Sequence, residues 1–220
     1  MQVKQKTVME ALKYAAFDYA HTTDENGIKY LHHRTGKQWR VAYTMDELEP
    51  GVVGFYAGYN EVEINLRQIC QFTDLKVLVL IFERIDSLPA EIGQLTQLTT
   101  LSLWDNPLTA LPAEIGNLTN LSDLSLSGKD FSHFDCSPFV HLERLSFSGS
   151  PFWLLPQNLH RLPKLNELDL SDCELHHIPV EIKSLEVNAL TLDLQGNDIP
   201  EEEVEALRQE RPGWGIIMDN

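Results

Sequence analysis

The sequence predicts an α/β solenoid in which a short strand recurs along the chain and the strands stack into one parallel sheet. The first observation is a repeated pattern of five positions, occupied in its clearest copy by Leu98, Leu101, Leu103, Asn106 and Leu108. The same frame returns 23 residues earlier and 23 residues later, as expected for stacked structural repeats. The second observation is the alternation of buried-type and other residues around positions 101 and 103, which is the period of a strand.

The frame can be traced through seven units, of which the first is degenerate. The units begin at Val52, Leu75, Leu98, Leu121, Leu142, Leu165 and Ala189. The fifth unit begins only 21 residues after the fourth, and residues 131–141 predict an irregular outer loop. We expect the Asn position to hydrogen-bond backbone groups that would otherwise be unpaired at the turn. Because outer segments such as residues 89–95 are bulkier than the strands, the sheet should form the concave face.

Residues 1–51 do not follow the repeat and are predicted to be an N-terminal α+β cap. A Thr-x-x-Glu capping box and an apolar helical face predict a helix near the start, while residues 28–33 and 38–43 predict two strands. The box is Thr7 and Glu10, and the face is Val8, Leu12, Ala15 and Tyr19. Such a cap would cover one open end of the continuous core.

Residues 52–199 are then the repeats, and residues 200–220 are predicted to be a second cap. Pro200 is suited to the first turn of a helix, with Asn197 or Asp198 as its N-cap. An apolar stretch from Trp214 to Met218 predicts a final strand.

The segment Leu88-Pro89-Ala90-Glu91-Ile92-Gly93, within this frame, resembles the leucine-rich-repeat family. The form L-P-x-x-I-G-x-L is similar to the subtype found in bacterial, plant-intracellular and Ras-suppressor-like proteins. The resemblance covers residues 52–218, with Lys129 and Ser150 departing from the usual Asn. It implies a right-handed horseshoe and a protein partner bound by the concave sheet. Catalytic bacterial members usually append an enzymatic domain, for which this chain has no room.

The charge of the chain limits the expected partners. The formal net charge is −16, from 33 acidic and 17 basic residues. An acidic surface repels nucleic-acid phosphates and anionic membranes, so neither is expected, whereas a protein with basic residues is compatible. Solubility alone would also explain the acidity. We expect a monomer.

Cysteine usage and hydropathy predict a cytoplasmic protein. The sequence has neither a membrane-length apolar run nor a secretory signal pattern. Its three cysteines are far apart, which argues against a disulfide framework. Delivery into a host cell, which does not require a cleavable signal, is the alternative localisation.

No recognised motif predicts catalysis, a metal or a cofactor. The phosphate-binding glycine loop, G-x-S-x-G, H-E-x-x-H and C-x-x-C are absent from the sequence. The histidine pairs at 32–33 and 176–177 are poor metal sites because strand neighbours point to opposite faces. Cys136 has a histidine and an aspartate nearby, but an irregular loop explains this better than a nucleophile does. Cys173 stands at the Asn position and is predicted to be buried.

The candidate site is the set of side chains that point outward from the strands. In the first three units they are apolar: Tyr56, Tyr59, Val77, Val79, Ile81, Phe82 and Trp104. An exposed apolar patch requires a partner or a covering segment, and aromatic anchors are enriched at binding hot spots. We favour a protein-binding patch. The alternatives are that the N-terminal segment folds over it or that it forms a homodimer.

Toward the other end the outward side chains become serines and charged residues. The charged ones are Asp123, Arg144, Glu167, Asp169 and Asp193. Asp169 and Asp193 are expected on neighbouring strands, where like charges repel. A basic side chain of a partner would relieve the repulsion, as would a divalent ion, and ordinary solvation is the remaining explanation.

These patterns favour a non-catalytic protein–protein interaction module that uses the concave face. A bacterial effector that binds a host protein after delivery is the second hypothesis. An enzyme with its active site in residues 1–50 is the least favoured.

Overall fold

One sheet runs through the whole described part of the chain. The computed structural model describes residues 17–33, 38–58, 64–128, 131, 133–151 and 155–219. Within them, eleven strands lie side by side in chain order. They are β1 (Phe17–Thr23), β2 (Lys29–His33), β3 (Gln38–Ala42), β4 (Gly54–Gly58), β5 (Val77–Ile81), β6 (Thr100–Leu108), β7 (Asp123–Gly128), β8 (Arg144–Ser146), β9 (Glu167–Asp169), β10 (Leu190–Asp193) and β11 (Trp214–Ile217).

The first three strands pair antiparallel, and each later strand is parallel to its neighbours. The predicted open solenoid with a parallel sheet is therefore confirmed.

The sequence repeat sets the register of the parallel strands. One row of core residues crosses seven strands through Phe55, Leu78, Leu101, Leu124, Leu145, Leu168 and Leu192. All seven belong to one continuous apolar core. Because successive strand residues face opposite sides, the residues on either side of this row form the concave face.

Short helical turns lie on the opposite side of the coil. They are 3-10 turns at Met45–Glu47, Ala90–Gln94, Ala113–Asn117 and Leu159–Arg161, and α-turns α1 (Leu66–Ile69) and α2 (Val180–Lys183). Ile92 and Ile115 each anchor one of these turns in the core. A Cβ on Gly93 would lie 2.7 Å from the Glu114 carbonyl oxygen, so only glycine lets adjacent turns pack this closely.

A buried asparagine near the end of β6 connects two neighbouring coils. The Asn106 side chain accepts hydrogen bonds from the Glu83 and Ile85 backbone N–H groups, each at 3.0 Å. It donates to the carbonyl oxygens of Leu80 at 2.8 Å and Leu103 at 3.0 Å. The predicted role of this position is therefore confirmed.

Asn197 repeats the arrangement, and Cys173 adapts it. Asn197 accepts from the Cys173 and Leu175 N–H groups at 3.1 and 2.9 Å. The Cys173 thiol donates to the carbonyl oxygens of Phe147 and Ser171, each at 3.3 Å. Cys173 is buried, which confirms its predicted packing role.

The N-terminal segment contains the two predicted strands and one that was not predicted. β2 and β3 confirm residues 28–33 and 38–43 as strand-forming. Tyr19, placed on a predicted helix, lies instead in β1, so this part of the prediction is wrong. The alternation of Phe17, Asp18 and Tyr19 suits a strand, and pairing with β2 decides the conformation. The rest of that helix, with Val8, Leu12 and Ala15, lies outside the described residues.

The C-terminal segment has the predicted helix, α3 (Glu201–Glu210), followed by β11. The predicted N-cap residue of α3, Asn197 or Asp198, is wrong, because Pro200 occupies the N-cap position and makes no side-chain hydrogen bond to the helix. Asn197 is instead committed to the preceding turn, as described above. Arg208 donates to the Ile216 carbonyl oxygen at 3.2 Å and so occupies an acceptor on the edge strand. The division of the chain at residues 51 and 199 stays a prediction.

None of the helices in the described ranges has the length and hydropathy needed to cross a bilayer.

We predict that Asn106→Ala destabilises the fold by about 2–4 kcal/mol, because several buried backbone groups lose their partners. The matched control is Asn120→Ala, which removes one hydrogen bond from an exposed side chain to the Thr96 carbonyl oxygen. It should cost less than about 1 kcal/mol. Urea denaturation of the three proteins checks this, and equal losses for both variants would contradict the role assigned to Asn106.

Candidate functional site

Two rows of side chains cross the concave face, and both change from apolar to polar residues between β5 and β6. The first row runs through Val41, Gly54, Val77, Thr100, Asp123, Arg144, Glu167 and Thr191. The second runs through Tyr56, Val79, Ser102, Ser125, Ser146, Asp169 and Asp193. The sequence-predicted site residues are thus brought onto one face, but in two separate groups.

The first group is an apolar cluster made of Val41, Tyr56, Val77, Val79 and Ile81. The last three are 0% exposed and Tyr56 is 1% exposed. The prediction that these residues form an exposed apolar patch is therefore wrong. Part of the reason is that aromatic side chains of the same chain pack against the cluster: Trp39, Tyr43, Phe82 and Trp104.

Trp39 and Tyr43 were not among the predicted site residues. Their alternation with Val41 indicates a strand. Because this strand directly precedes the first repeat, the sequence could have predicted that its side chains belong to the concave face. Because β3 pairs parallel to β4, Trp39, Val41 and Tyr43 extend the apolar part of the concave face by one strand.

Tyr56 lies at the centre of the cluster with its hydroxyl enclosed. Its ring stacks against that of Tyr43 with a centroid distance of 5.6 Å. A Cβ on Gly54 would come within 3.0 Å of the Tyr56 ring, so the glycine leaves room for the ring beside the strand. Burial raises the pKa of Tyr56 well above its ordinary value. Among the described residues, its hydroxyl has no hydrogen-bond partner.

Phe82 and Trp104 form an aromatic border between the apolar cluster and the polar part of the face. Both are partly buried, and their rings meet edge to face at 5.3 Å. Phe82 has a φ of 55°, a left-handed conformation shared with Asp105 and Gly149 at equivalent turns. A phenylalanine there costs roughly 1–2 kcal/mol, which its packing must offset. The Trp104 indole nitrogen approaches Gly149, so the indole leans toward the polar part.

The second group is an acidic patch made of Asp123, Arg144, Glu167, Asp169 and Asp193. Asp123 is 5% exposed and accepts a hydrogen bond from the Arg144 guanidinium. Burial raises the pKa of Asp123, although Arg144 opposes this. Burial also raises the pKa of Glu167, which faces Arg144 from the next strand. Arg144 therefore lies between two carboxylates.

Asp169 and Asp193 face each other across β9 and β10, as predicted. Asp169 accepts from the Ser146 hydroxyl at 3.0 Å and the Ser171 hydroxyl at 2.6 Å. Asp193 accepts from the Gln195 N–H at 3.0 Å. Burial raises the pKa of Asp193, and the neighbouring carboxylates, Asp169 first, raise it further. The patch thus holds four carboxylates against one guanidinium.

Cys136 and the 176–177 histidine pair do not form a reactive site. Cys136 is fully buried, and burial raises the pKa of its thiol to about 12. His176 and His177 contact different acids, Asp198 at 3.3 Å and Glu203 at 2.5 Å. Within the described ranges, no group of three or more histidine, cysteine, aspartate or glutamate side chains is placed to hold a metal ion.

Comparisons with known families identify the repeat. A family model described as a leucine-rich repeat region matches residues 53–146, and a leucine-rich-repeat model matches residues 164–185. Together they cover more than half of the chain. No curated protein matches the chain at a significant level of similarity. Membership of the L-P-x-x-I-G-x-L subtype stays a prediction.

Solved structures are similar in fold. Internalin C2 from Listeria monocytogenes is 19% identical with a TM-score of 0.60, and the alignment covers 82% of this chain and 80% of that chain. Human 5T4, also called trophoblast glycoprotein, is 21% identical with a TM-score of 0.61, over 79% of this chain and 71% of that chain. At these identities the likeness shows the fold alone.

We predict that Asp193→Asn raises the thermal midpoint at pH 7. The folded-state pKa of Asp193 is raised, so its charge lowers stability above that pKa, and the cost disappears as the pH falls through it. The difference from wild type should therefore shrink toward pH 4. Asp74→Asn, at an exposed aspartate, is the control, and thermal melts across this pH range are the measurement. An Asp193→Asn protein less stable than wild type at pH 7 would refute this.

We also predict that the folded protein does not react with a thiol reagent at pH 8. All three cysteines are buried and free, and burial raises the pKa of Cys70 to about 11 and that of Cys173 to about 12. Because the thiolate is the reactive form, a reagent that releases a coloured product on reaction with thiols should give colour only after denaturant is added. Rapid modification of any cysteine in the native protein would contradict the burial described here.

Proposed function

Because the chain is a leucine-rich-repeat protein, we propose that it is a protein-interaction module that binds a basic segment of a partner on the acidic patch of its concave face. The observation that carries this proposal is the arrangement of Glu167, Asp169 and Asp193 on two neighbouring strands. Among the residues that the structure describes, Arg144 is the one positive charge within the patch. An arginine or lysine from a partner would lower the repulsion among these carboxylates.

The electrostatics of the patch support a cationic ligand. The pKa values of Glu167 and Asp193 are both raised, first by burial and further by neighbouring carboxylates. Their charged forms are therefore less favourable than in water, and a bound cation would stabilise them. Arginine fits this surface well, because its planar guanidinium can bond two carboxylates at once.

The aromatic border supports a binding role beside the patch. Trp104 and Phe82 are partly exposed, whereas the apolar cluster behind them is closed. Aromatic side chains of this kind often carry a large share of binding energy, and Trp104 leans toward the serines of the polar part. A partner segment on the acidic patch would therefore also contact the Trp104 indole. Val77, Val79, Ile81 and Tyr56 are not assigned as anchors, since they are buried.

We assign no catalytic residue and no cofactor. Leucine-rich-repeat proteins are typically non-catalytic. Cytoplasmic location, delivery into a host cell and a monomeric state stay predictions.

We predict that the double variant Glu167→Gln, Asp193→Asn loses its partner. Proteins retained by the wild-type chain from a lysate of its source cells are identified by mass spectrometry, and the specific one is titrated. The variant should bind at least about tenfold more weakly, since charged pairs at an interface contribute on the order of 1.4 kcal/mol or more. The wild-type affinity should also fall as salt is raised.

The matched control is Glu186→Gln, which removes one exposed carboxylate away from the concave strands. It should bind as wild type does. Equal affinity of the double variant and the wild type for the partner would refute the acidic patch as the binding surface. Weaker binding by the Glu186→Gln variant alone would indicate a site on the opposite side of the coil.

A further inference from the structure

The C-terminal cap, made of α3 and β11, closes one end of the continuous core. Val204 and Leu207 of α3 are each 1% exposed, and β11 is the last strand of the described sheet. A terminal unit of a solenoid contacts a neighbour on one side only. The attachment of this cap to the last coil therefore decides how firmly the end of the core stays closed.

Two histidines in the turn before α2 contact acids at the start of the cap. His177 Nδ1 lies 2.5 Å from one carboxylate oxygen of Glu203, and His176 Nδ1 lies 3.3 Å from a carboxylate oxygen of Asp198. The other oxygen of Glu203 accepts a hydrogen bond from the Ile178 backbone N–H at 3.1 Å. Glu203 therefore holds the first turn of α3 to the preceding coil through both of its oxygens.

The contacts at the far end of the cap do not depend on a titrating group. Arg211 donates a hydrogen bond to the Lys183 carbonyl oxygen at 2.7 Å, and the Trp214 indole N–H donates to the Val187 carbonyl oxygen at 3.1 Å. Neither donor changes its charge between about pH 5 and pH 8. The start of the cap is thus the end whose attachment involves histidine.

Acids predominate among the charged residues of the elements around His177. These residues are Glu174 beside the turn, Glu181 and Lys183 on α2, and Asp198, Glu201, Glu202 and Glu203 at the start of the cap. From the preceding coil, the described residues at 151 and 155–158 carry no charge. A positive charge on the His177 imidazole is therefore attracted by the cap.

We propose that the attachment of the C-terminal cap is a pH-sensitive device, in which protonation of His177 holds α3 more tightly near pH 5.5 than at pH 8. Histidine side chains change charge in this range, and a hydrogen bond between two charged groups is stronger than one with a neutral partner. The stabilisation is present while the imidazole is charged and is lost as the pH rises through its titration. His176 and Asp198 add a weaker second pair, because their side chains are more exposed.

Glu203 limits the device on the acid side. The hydrogen bond with His177, and next the one from the Ile178 N–H, lower the pKa of Glu203 below its ordinary value. The contribution of Glu203 is therefore present above the ordinary pKa of a glutamate, and it is lost as the pH falls through the lowered pKa. The attachment is tightest in weak acid, between the titration of Glu203 and that of histidine. These residues lie outside the acidic patch, so the device does not depend on partner binding.

Hydrogen exchange of the α3 and β11 amides in the full-length protein tests the proposal, because it reports local opening. Protection factors, corrected for the intrinsic effect of pH on exchange, are measured at pH 5.5 and pH 8.0 and divided by those of the β6 amides. We expect this ratio to be about twofold to fivefold larger at pH 5.5, the range that a partly exposed ion pair supports. An equal ratio at the two pH values, or a larger one at pH 8.0, overturns the proposal.

Two variants separate the ion pair from general effects of pH on the fold. In His177→Gln the side chain still reaches Glu203 but gains no charge, and in Glu203→Gln the side chain still accepts the Ile178 N–H. Both variants should lose the pH dependence of the cap. The matched control is His160→Gln, at an exposed histidine one coil earlier, which should retain it. Full pH dependence in His177→Gln, or its loss in His160→Gln, overturns the proposal.

Discussion

The buried hydrogen bonds of the turn asparagines are the constraint on which the rest of the structure depends. Each strand must leave the sheet and return one repeat later, and the turn exposes backbone groups to an apolar core. Asn106 and Asn197 satisfy these groups on two neighbouring coils at once. Backbone hydrogen bonds between parallel strands set the strand spacing, and the two asparagines hold neighbouring turns in the same register, so that side chains on the concave face align.

That alignment explains why the concave face has two characters. Residues at equivalent repeat positions lie in rows. A change of residue type from one repeat to the next therefore makes the face progressively more polar and then acidic across the sheet. Valines on β5 give way to serines on β6 and β7 and then to carboxylates on β9 and β10. The apolar end is closed, and the acidic end is where like charges accumulate beside Arg144. Burial and repulsion act together there, which makes the patch suited to a cationic ligand.

The repeat architecture could be predicted from the sequence because its period is regular and each buried position is apolar. The register was predictable for the same reason, and it correctly placed Asp169 beside Asp193. The burial of Val77, Val79 and Ile81 could not be predicted from the sequence, since a residue that points away from the core is exposed only if nothing covers that side. β1 was missed because pairing with β2 outweighs the local helical pattern at Tyr19. The N-cap of α3 was predicted wrongly because the Asn197 side chain hydrogen-bonds backbone groups of the preceding coil and is therefore not available to cap the helix.

The central claim is that a partner binds the acidic patch on the concave face. Zero-length carbodiimide cross-linking of the complex with its captured partner tests it most directly, because the reagent joins carboxylates to lysines that are in contact. We predict cross-linked peptides that join Glu167 or Asp193 to a lysine of the partner. Cross-links confined to acids on the opposite side of the coil, such as Glu114 or Glu186, would contradict the account.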